Sequence, residues 1–288
     1  MLFENNEHKI YHGDAFKVLS NKIQSESIDL IFADPPYNIG KKFSKFDDVW
    51  PSVDEYVLWT KQWLTECLRV LKPSGSLYFM TSTEAMPHID IFLSSQCSVL
   101  SRIVWHYDSS GKQAKKYFGS LYEPIIFCVK DKRKYKFNSE DILVEAKTGS
   151  KRKLIDYRKK VPTVYNSKKV PGNVWYFNRV RYRMPEYEEH PSQKPESLLE
   201  RVILASSDSG DTVLDPFGGT FSTGAVARRL GRRSISIESQ EEYLKIGLRR
   251  VLGEKTYKGE QLTKVEKSFK HRNSKIQTKS TRDLFNAE

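Results

Sequence analysis

The segment Asp34-Pro35-Pro36-Tyr37 puts a carboxylate, two rigid backbone units and an aromatic ring in consecutive positions. Two prolines fix φ and remove two N–H donors, so the chain cannot continue pairing as a strand and its carbonyls are held in place. In that frame a planar exocyclic amine could donate to the Asp34 carboxylate and the Pro35 carbonyl while its ring stacks on Tyr37. Taken alone, the simpler reading is a strand-ending turn capped by Asp34.

Asp215-Pro216-Phe217-Gly218-Gly219-Thr220 offers a second chemistry. Its glycines let a ligand approach the backbone where a helix begins. Glu238 follows 23 residues after Asp215, and an acid at that spacing, at the end of the next strand, suits ribose hydroxyls. The G-x-G-x-x-G pattern of a dinucleotide fold is absent, because Gly218-Gly219 runs on as Thr220-Phe221-Ser222-Thr223-Gly224. The expected ligand therefore carries adenosine without phosphates; the bland alternative is a tight βα turn and an exposed Glu238. Two further segments, His12-Gly13-Asp14-Ala15 and His190-Pro191-Ser192-Gln193-Lys194-Pro195, read alone as a helix cap by Asp14 and a rigid helix entry.

The elements that must position these groups alternate. Ile28 to Ala33 is a short apolar run, as a buried parallel strand requires. Residues 56–71 carry apolar positions at helical spacing, and Lys72-Pro73-Ser74-Gly75 is read as the turn that ends that helix. Strands are expected at 76–80, 103–105, 124–129, 212–215 and 234–238, and helices at 89–93, 195–207, 222–230 and 240–252. Strands alternating with helices imply an α/β fold, a mostly parallel sheet with helices on both faces. Its sites lie at the carboxyl ends of strands, and the acidic segments fall at such ends. Residues 131–189 break the pattern and read as an insertion between catalytic-domain parts 1–130 and 190–252; 253–288 read as a polar, flexible tail.

Hydrophobic residues are 38% of the 288, enough for a packed core, and no apolar run reaches membrane-spanning length. The first residues lack the stretches of a signal peptide. Cys67, Cys97 and Cys128 are odd in number and scattered, which predicts reduced thiols of a cytoplasmic protein; no metal site is expected. The net charge of +12 is unevenly placed. Residues 111–183 hold 20 Lys+Arg against 6 Asp+Glu, and the remaining 215 residues carry −2. Interleaved aromatics and amides point that stretch toward nucleic acid, beginning near residue 108, over a merely solvated charged face. Lys112, Lys115, Lys116, Lys151, Arg152 and Lys153 are expected on phosphate. Arg179, Arg181 and Arg183 alternate on what reads as an extended segment, so they would share one face and, with Asn173 and Asn178, could read bases. Trp105 is expected in the core.

Together the segments resemble the amino DNA methyltransferases of the permuted beta class. There a D-P-P-Y motif comes first, a target-recognition segment follows, and a D-P-F-x-G cofactor loop comes last, as at 34–37, the basic middle and 215–220 here. The likeness covers residues 8 to 252 and includes subgroup segments such as 101–111, 142–149 and 169–175. It implies a Rossmann-like S-adenosylmethionine-dependent methyltransferase sheet and transfer of a methyl group to adenine N6 in double-stranded DNA. It implies Asp34, Pro35, Pro36 and Tyr37 as catalytic. It implies Asp14, Ala15, Asp34, His190, Ser192, Lys194, Asp215, Phe217, Gly218, Gly219, Thr220 and Glu238 around the cofactor. The second glycine of the common F-x-G-x-G form is Phe221 here, a departure from the family. The orphan subgroup implies the palindrome ATGCAT as target, which the residues themselves do not derive. A palindrome suits a homodimer, and a monomer methylating each strand in turn serves as well. An RNA adenine methyltransferase and a noncatalytic nucleic-acid-binding protein are the rival readings.

Overall fold

A computed structural model describes residues 1–43, 46–107, 115–146, 154–158 and 160–253. Its main sheet has nine strands: β1 Phe3–Glu4, β2 His8–His12, β3 Ile28–Ala33, β4 Leu71–Met80, β5 Ser98–His106, β6 Tyr122–Val129, β7 Val174–Tyr176, β8 Thr212–Asp215 and β9 Arg233–Glu238. Their order is β1-β2-β9-β8-β3-β4-β6-β5-β7. β2, β9, β8, β3 and β4 run parallel, and β6 is antiparallel to both of its neighbours. The helices are α1 Ala15–Lys22, α2 Val53–Val70, α3 Met86–Gln96, α4 Glu196–Ser206, α5 Ser222–Arg229 and α6 Glu241–Leu252.

Strand alternation sorts the core onto two faces. In β3, Ile31 and Ala33 join a cluster with Trp63 and Leu64 of α2, while Leu30 and Phe32 join one with Leu198 and Val202 of α4. The polar break in β3 is also explained. Buried Asp29 accepts both contacts of the Lys72 ammonium at 2.8 Å and the Thr212 amide at 2.9 Å. Ser52 caps α2 by accepting from the Glu55 amide, and Gly253 ends α6 in the left-handed region.

Two expectations are corrected here. Lys72 to Gly75 form no separate turn. The chain passes from α2 into β4 at Leu71, which pairs with Ile28, and the register then shifts before Leu30 pairs with Ser76. Pro73 cannot donate to a ladder, so an irregularity accommodates it without ending the strand. The inserted stretch is also not wholly separate, because β7 extends the main sheet beside β5. The rest of that stretch holds two-residue pairings, Val144–Glu145 with Lys168–Lys169 and Ile155–Asp156 with Thr163–Val164. The tail assigned to 253–288 lies outside the described residues beyond Gly253.

Sheet order reverses between β3 and β8. β3 continues outward through α2 to β4, whereas β8 continues the other way through α5 to β9. A crevice at the carboxyl ends of such strands is the usual ligand position in open α/β sheets.

Candidate active site

That crevice is a cavity of about 270 Å³ whose wall includes all twelve of the residues expected around a cofactor, from Asp14 and Ala15 through Glu238. β2 delivers Gly13 and Asp14, β3 Asp34, β8 Asp215 and β9 Glu238. Asp14 accepts the Lys17 amide at 3.0 Å, so capping α1 and lining the cavity are the same placement. Glu238 holds the turn after β8: one carboxylate oxygen accepts the Gly219 amide at 2.8 Å and the other the Gln240 amide at 2.7 Å. The Ser239 backbone and hydroxyl hydrogen-bond to the same carboxylate. Burial raises the Glu238 pKa against these hydrogen bonds. Asp215 is 4% exposed, and burial pushes its carboxyl up to about 7 although it accepts the Phe217 amide at 3.0 Å.

The departure at Phe221 is accommodated. Phe221 keeps a left-handed backbone, φ 56°, and its ring is wholly buried under Gly218 and against Gly247 of α6. A methyl on Gly247 would lie 2.2 Å from that ring. Arg250, also on α6, donates to the Thr220 carbonyl, the Thr220 hydroxyl and the Ser222 hydroxyl, each at 2.9 Å, and to Glu196 at 2.5 Å. The loop thus holds a glycine-like conformation through packing from beneath.

His190 accepts the Ser192 amide at Nδ1, so its proton sits on Nε2. Burial, with the nearby Lys194 and Lys41 charges, pushes its pKa down to about 3, leaving a neutral ring beside Tyr243 and Phe43.

At the catalytic motif, Tyr56 of α2 donates to the Pro36 carbonyl at 2.9 Å, and Asp48 accepts the Asn38 and Ile39 amides at 2.6 and 3.2 Å. The motif is therefore clamped on both sides. Asp34, Pro35 and Pro36 line the cavity, whereas Tyr37 does not. Its hydroxyl donates to Asp34 at 2.5 Å, and the Lys194 ammonium sits 5.2 Å from its ring centroid. Tyr37 is thus buried behind the acid, with its hydroxyl on Asp34 and its ring off this cavity wall. Lys194, expected on the cofactor, forms an ion pair with Asp34 at 2.6 Å and also faces Glu123 at 3.5 Å. Burial raises the Asp34 pKa and the Lys194 charge opposes that.

Glu123 and Lys41 are missed by the sequence reading. Glu123 is the second residue of β6, an otherwise apolar strand, and looks like its polar end; the available signal was a lone acid where that strand begins beside the motif. Lys41 is half-buried near both acids, and burial lowers its pKa. Lys41 reads as one more surface lysine.

Of the residues expected on nucleic acid, Lys112, Lys151, Arg152 and Lys153 lie outside the described residues. Lys115 and Lys116 are exposed. The extended segment expected for 179–183 is instead turned: the Met184 amide donates to the Arg181 carbonyl and Arg183 adopts φ 73°, so the three arginines do not share a strand face. Arg179 stacks over Tyr107 at 5.0 Å. Asn173 spends its amide on the Arg102 carbonyl, at 2.9 Å, which ties β7 to β5. Trp105 is core, 1% exposed, and donates to the Phe177 carbonyl.

The chain matches the protein family described as "DNA methylase" over residues 28–249. It is 58% identical over 265 residues to the DNA adenine methyltransferase YhdJ of Escherichia coli (strain K12), spanning 92% of this chain and 90% of that protein. It is 34% identical to the type II methyltransferase M.HpaI of Haemophilus parainfluenzae, over 85% of this chain and 74% of that one. Among solved structures, the cytosine-N4-specific PvuII DNA methyltransferase shares the fold with a TM-score of 0.65 at 19% identity, over 91% of this chain and 92% of that one. The M1.HpyAVI–SAM complex does so with a TM-score of 0.56 at 24% identity, over 84% and 99%.

Proposed function

Because this chain belongs to the DNA methylase family, we propose that it transfers a methyl group from S-adenosylmethionine to the N6 amine of an adenine flipped out of double-stranded DNA. The observation that carries the reading is one cavity in which Asp34 stands within the same wall as Asp14, Asp215 and Glu238. Four carboxylates and a single lysine, itself paired with acids, line it. That charge suits a ligand with a sulfonium and an ammonium, and it opposes a pyrophosphate. Glu238 would take the ribose hydroxyls and the Gly218-Gly219 turn would lie along the ligand.

When bound, S-adenosylmethionine supplies an electrophilic methyl on a positive sulfur. The chain supplies orientation. N6 is a poor nucleophile because its lone pair is delocalised into the ring. Acceptance of its N–H bonds by Asp34 and the Pro35 carbonyl turns that lone pair toward the methyl. Alignment of two reactants can supply up to roughly 7–11 kcal/mol in ideal cases. Asp34 need not be a strong base, since the N–H becomes acidic once the N–C bond forms and the proton then leaves. A stacked adenine cannot reach a cavity at strand ends, so the base must leave the duplex.

We further propose a cytoplasmic enzyme that acts at the palindrome ATGCAT, as a homodimer or as a monomer taking each strand in turn. Among the described residues no helix is long and apolar enough to cross a membrane. Subdomain roles follow the same reading: 1–130 and 190–252 bind cofactor and catalyse, and 131–189 recognises the target. Unmethylated genomic DNA treated with protein and cofactor, then mapped by long-read sequencing, tests the reading. N6-methyladenine at one short motif is expected; label appearing only in RNA would overturn it.

A further inference from the structure

Asp34 is the acceptor that the reaction requires, yet each of its oxygens already accepts one hydrogen bond, one of them from a cation, so an incoming N–H must share an oxygen. Tyr37 donates to one at 2.5 Å and Lys194 holds the other at 2.6 Å. The ammonium is a poor neighbour for the incoming amine. It draws on the carboxylate lone pairs that should accept N–H, and it opposes the positive charge that builds on N6 as the methyl arrives. A second carboxylate stands ready. Glu123, at the start of β6, is 3.5 Å from the same ammonium and 3.1 Å from the Tyr37 hydroxyl. The side chains of Lys194, Asp34 and Glu123 are 6%, 15% and 15% exposed, so the three are largely shut off from water. Asp34 and Lys194 line the cavity, and Glu123 does not. A shift of Lys194 toward Glu123 therefore moves positive charge out of the reaction space while the ammonium stays paired, as a buried charge must.

Resting on the reading above, we propose that Glu123 is a positioning residue that takes Lys194 from Asp34 when the target amine enters, freeing the catalytic carboxylate. The Lys194 stem is flexible, and its backbone precedes α4 at Pro195, so the move needs only side-chain torsions. The groups facing this cluster are Tyr37 and Lys41 from the motif loop, Tyr56 of α2, Asp215 of β8, and Tyr107 and Arg179 at the rim, with neutral His190 beside Lys194.

The test uses the full chain with S-adenosylmethionine and a duplex bearing the motif found by mapping. Single-turnover methylation is followed against pH in wild type, Glu123→Gln, Glu123→Asp and Lys194→Gln, with cofactor affinity by calorimetry and 2-aminopurine fluorescence at the target position. Asp34 must be ionised to accept, so the rate falls on the acid side. The Glu123 charge raises the Asp34 pKa and the Lys194 charge lowers it. Glu123→Gln is expected to transfer about tenfold more slowly or worse, the scale of one lost hydrogen bond to a charged group, with cofactor affinity kept and its acid limb moved to lower pH. Lys194→Gln should move that limb to higher pH, and Glu123→Asp should recover most of the rate. Glu123→Gln at wild-type rate, or slowed with an unmoved limb, would overturn the inference. A wild type that methylates no DNA would overturn the function reading, and the inference with it.

Discussion

At the scale of single residues, local motifs carried the site. Asp34 directly follows a strand and Asp215 and Glu238 end theirs, so all three reach one cavity at the strand ends. What spacing could not give is how these acids are paired. Lys194 sits 160 residues from Asp34 in sequence, and only the fold makes it that carboxylate's counter-ion. The hydroxyl contact of Tyr37 with Asp34 is likewise not legible in the spacing. Asp215 leads to a prediction. Its folded pKa near 7 lies above the unfolded value of about 3.9. A raised carboxyl binds its proton more tightly when folded, so ionising it costs stability as pH rises from about 4 through 7. Asp34 and Glu238 shift in the same direction. A cationic cofactor favours the ionised form and should bind more tightly as pH passes 7. Calorimetry across pH 6 to 8 should show that rise in wild type and a flatter profile in Asp215→Asn, whose ligand-free form should melt at higher temperature near pH 8.

At the scale of elements, strands and helices of the parallel half were legible because apolar runs, caps and glycine turns agree there. The other half was less so. The antiparallel β6 between β4 and β5 leaves no mark in periodicity, since a buried strand is apolar in either direction. β7 is three residues in a basic, proline-containing stretch, and it is a strand only because β5 offers an open edge. The cofactor loop is likewise an agreement between elements. Phe221 pays for a conformation that favours glycine, and Gly247 of α6 makes room for its ring. Gly247→Ala should force that ring aside, costing roughly 1–3 kcal/mol as overpacking does, and should weaken cofactor binding through the Gly218–Thr220 turn. Phe221→Gly in the same chain should relieve much of both losses, a non-additivity that melting curves and calorimetry on the four variants would measure.

At the scale of the whole molecule, charge separates from catalysis. The acid-lined cavity sits at the strand ends, while the whole of the net positive charge lies in residues 111–183. A cationic ligand and a polyanionic substrate thus meet different fields on one chain, and steering of DNA need not disturb the cavity. Exposed Lys115 and Lys116 precede β6 in the chain, and Glu123 near its start reaches the active site. Replacing each with Ala should weaken duplex binding irrespective of sequence and reduce the slope of log affinity against log salt by about 1 per lysine. An unchanged slope would remove them from the phosphate contacts.

The catalytic role of Asp34 is tested by transfer of labelled methyl from S-adenosylmethionine to unmethylated duplex DNA by wild type and Asp34→Ala, with cofactor binding measured on both. Label in adenine N6 is expected for wild type and none for the variant, with near-equal cofactor affinity. Undiminished transfer by Asp34→Ala would contradict that role.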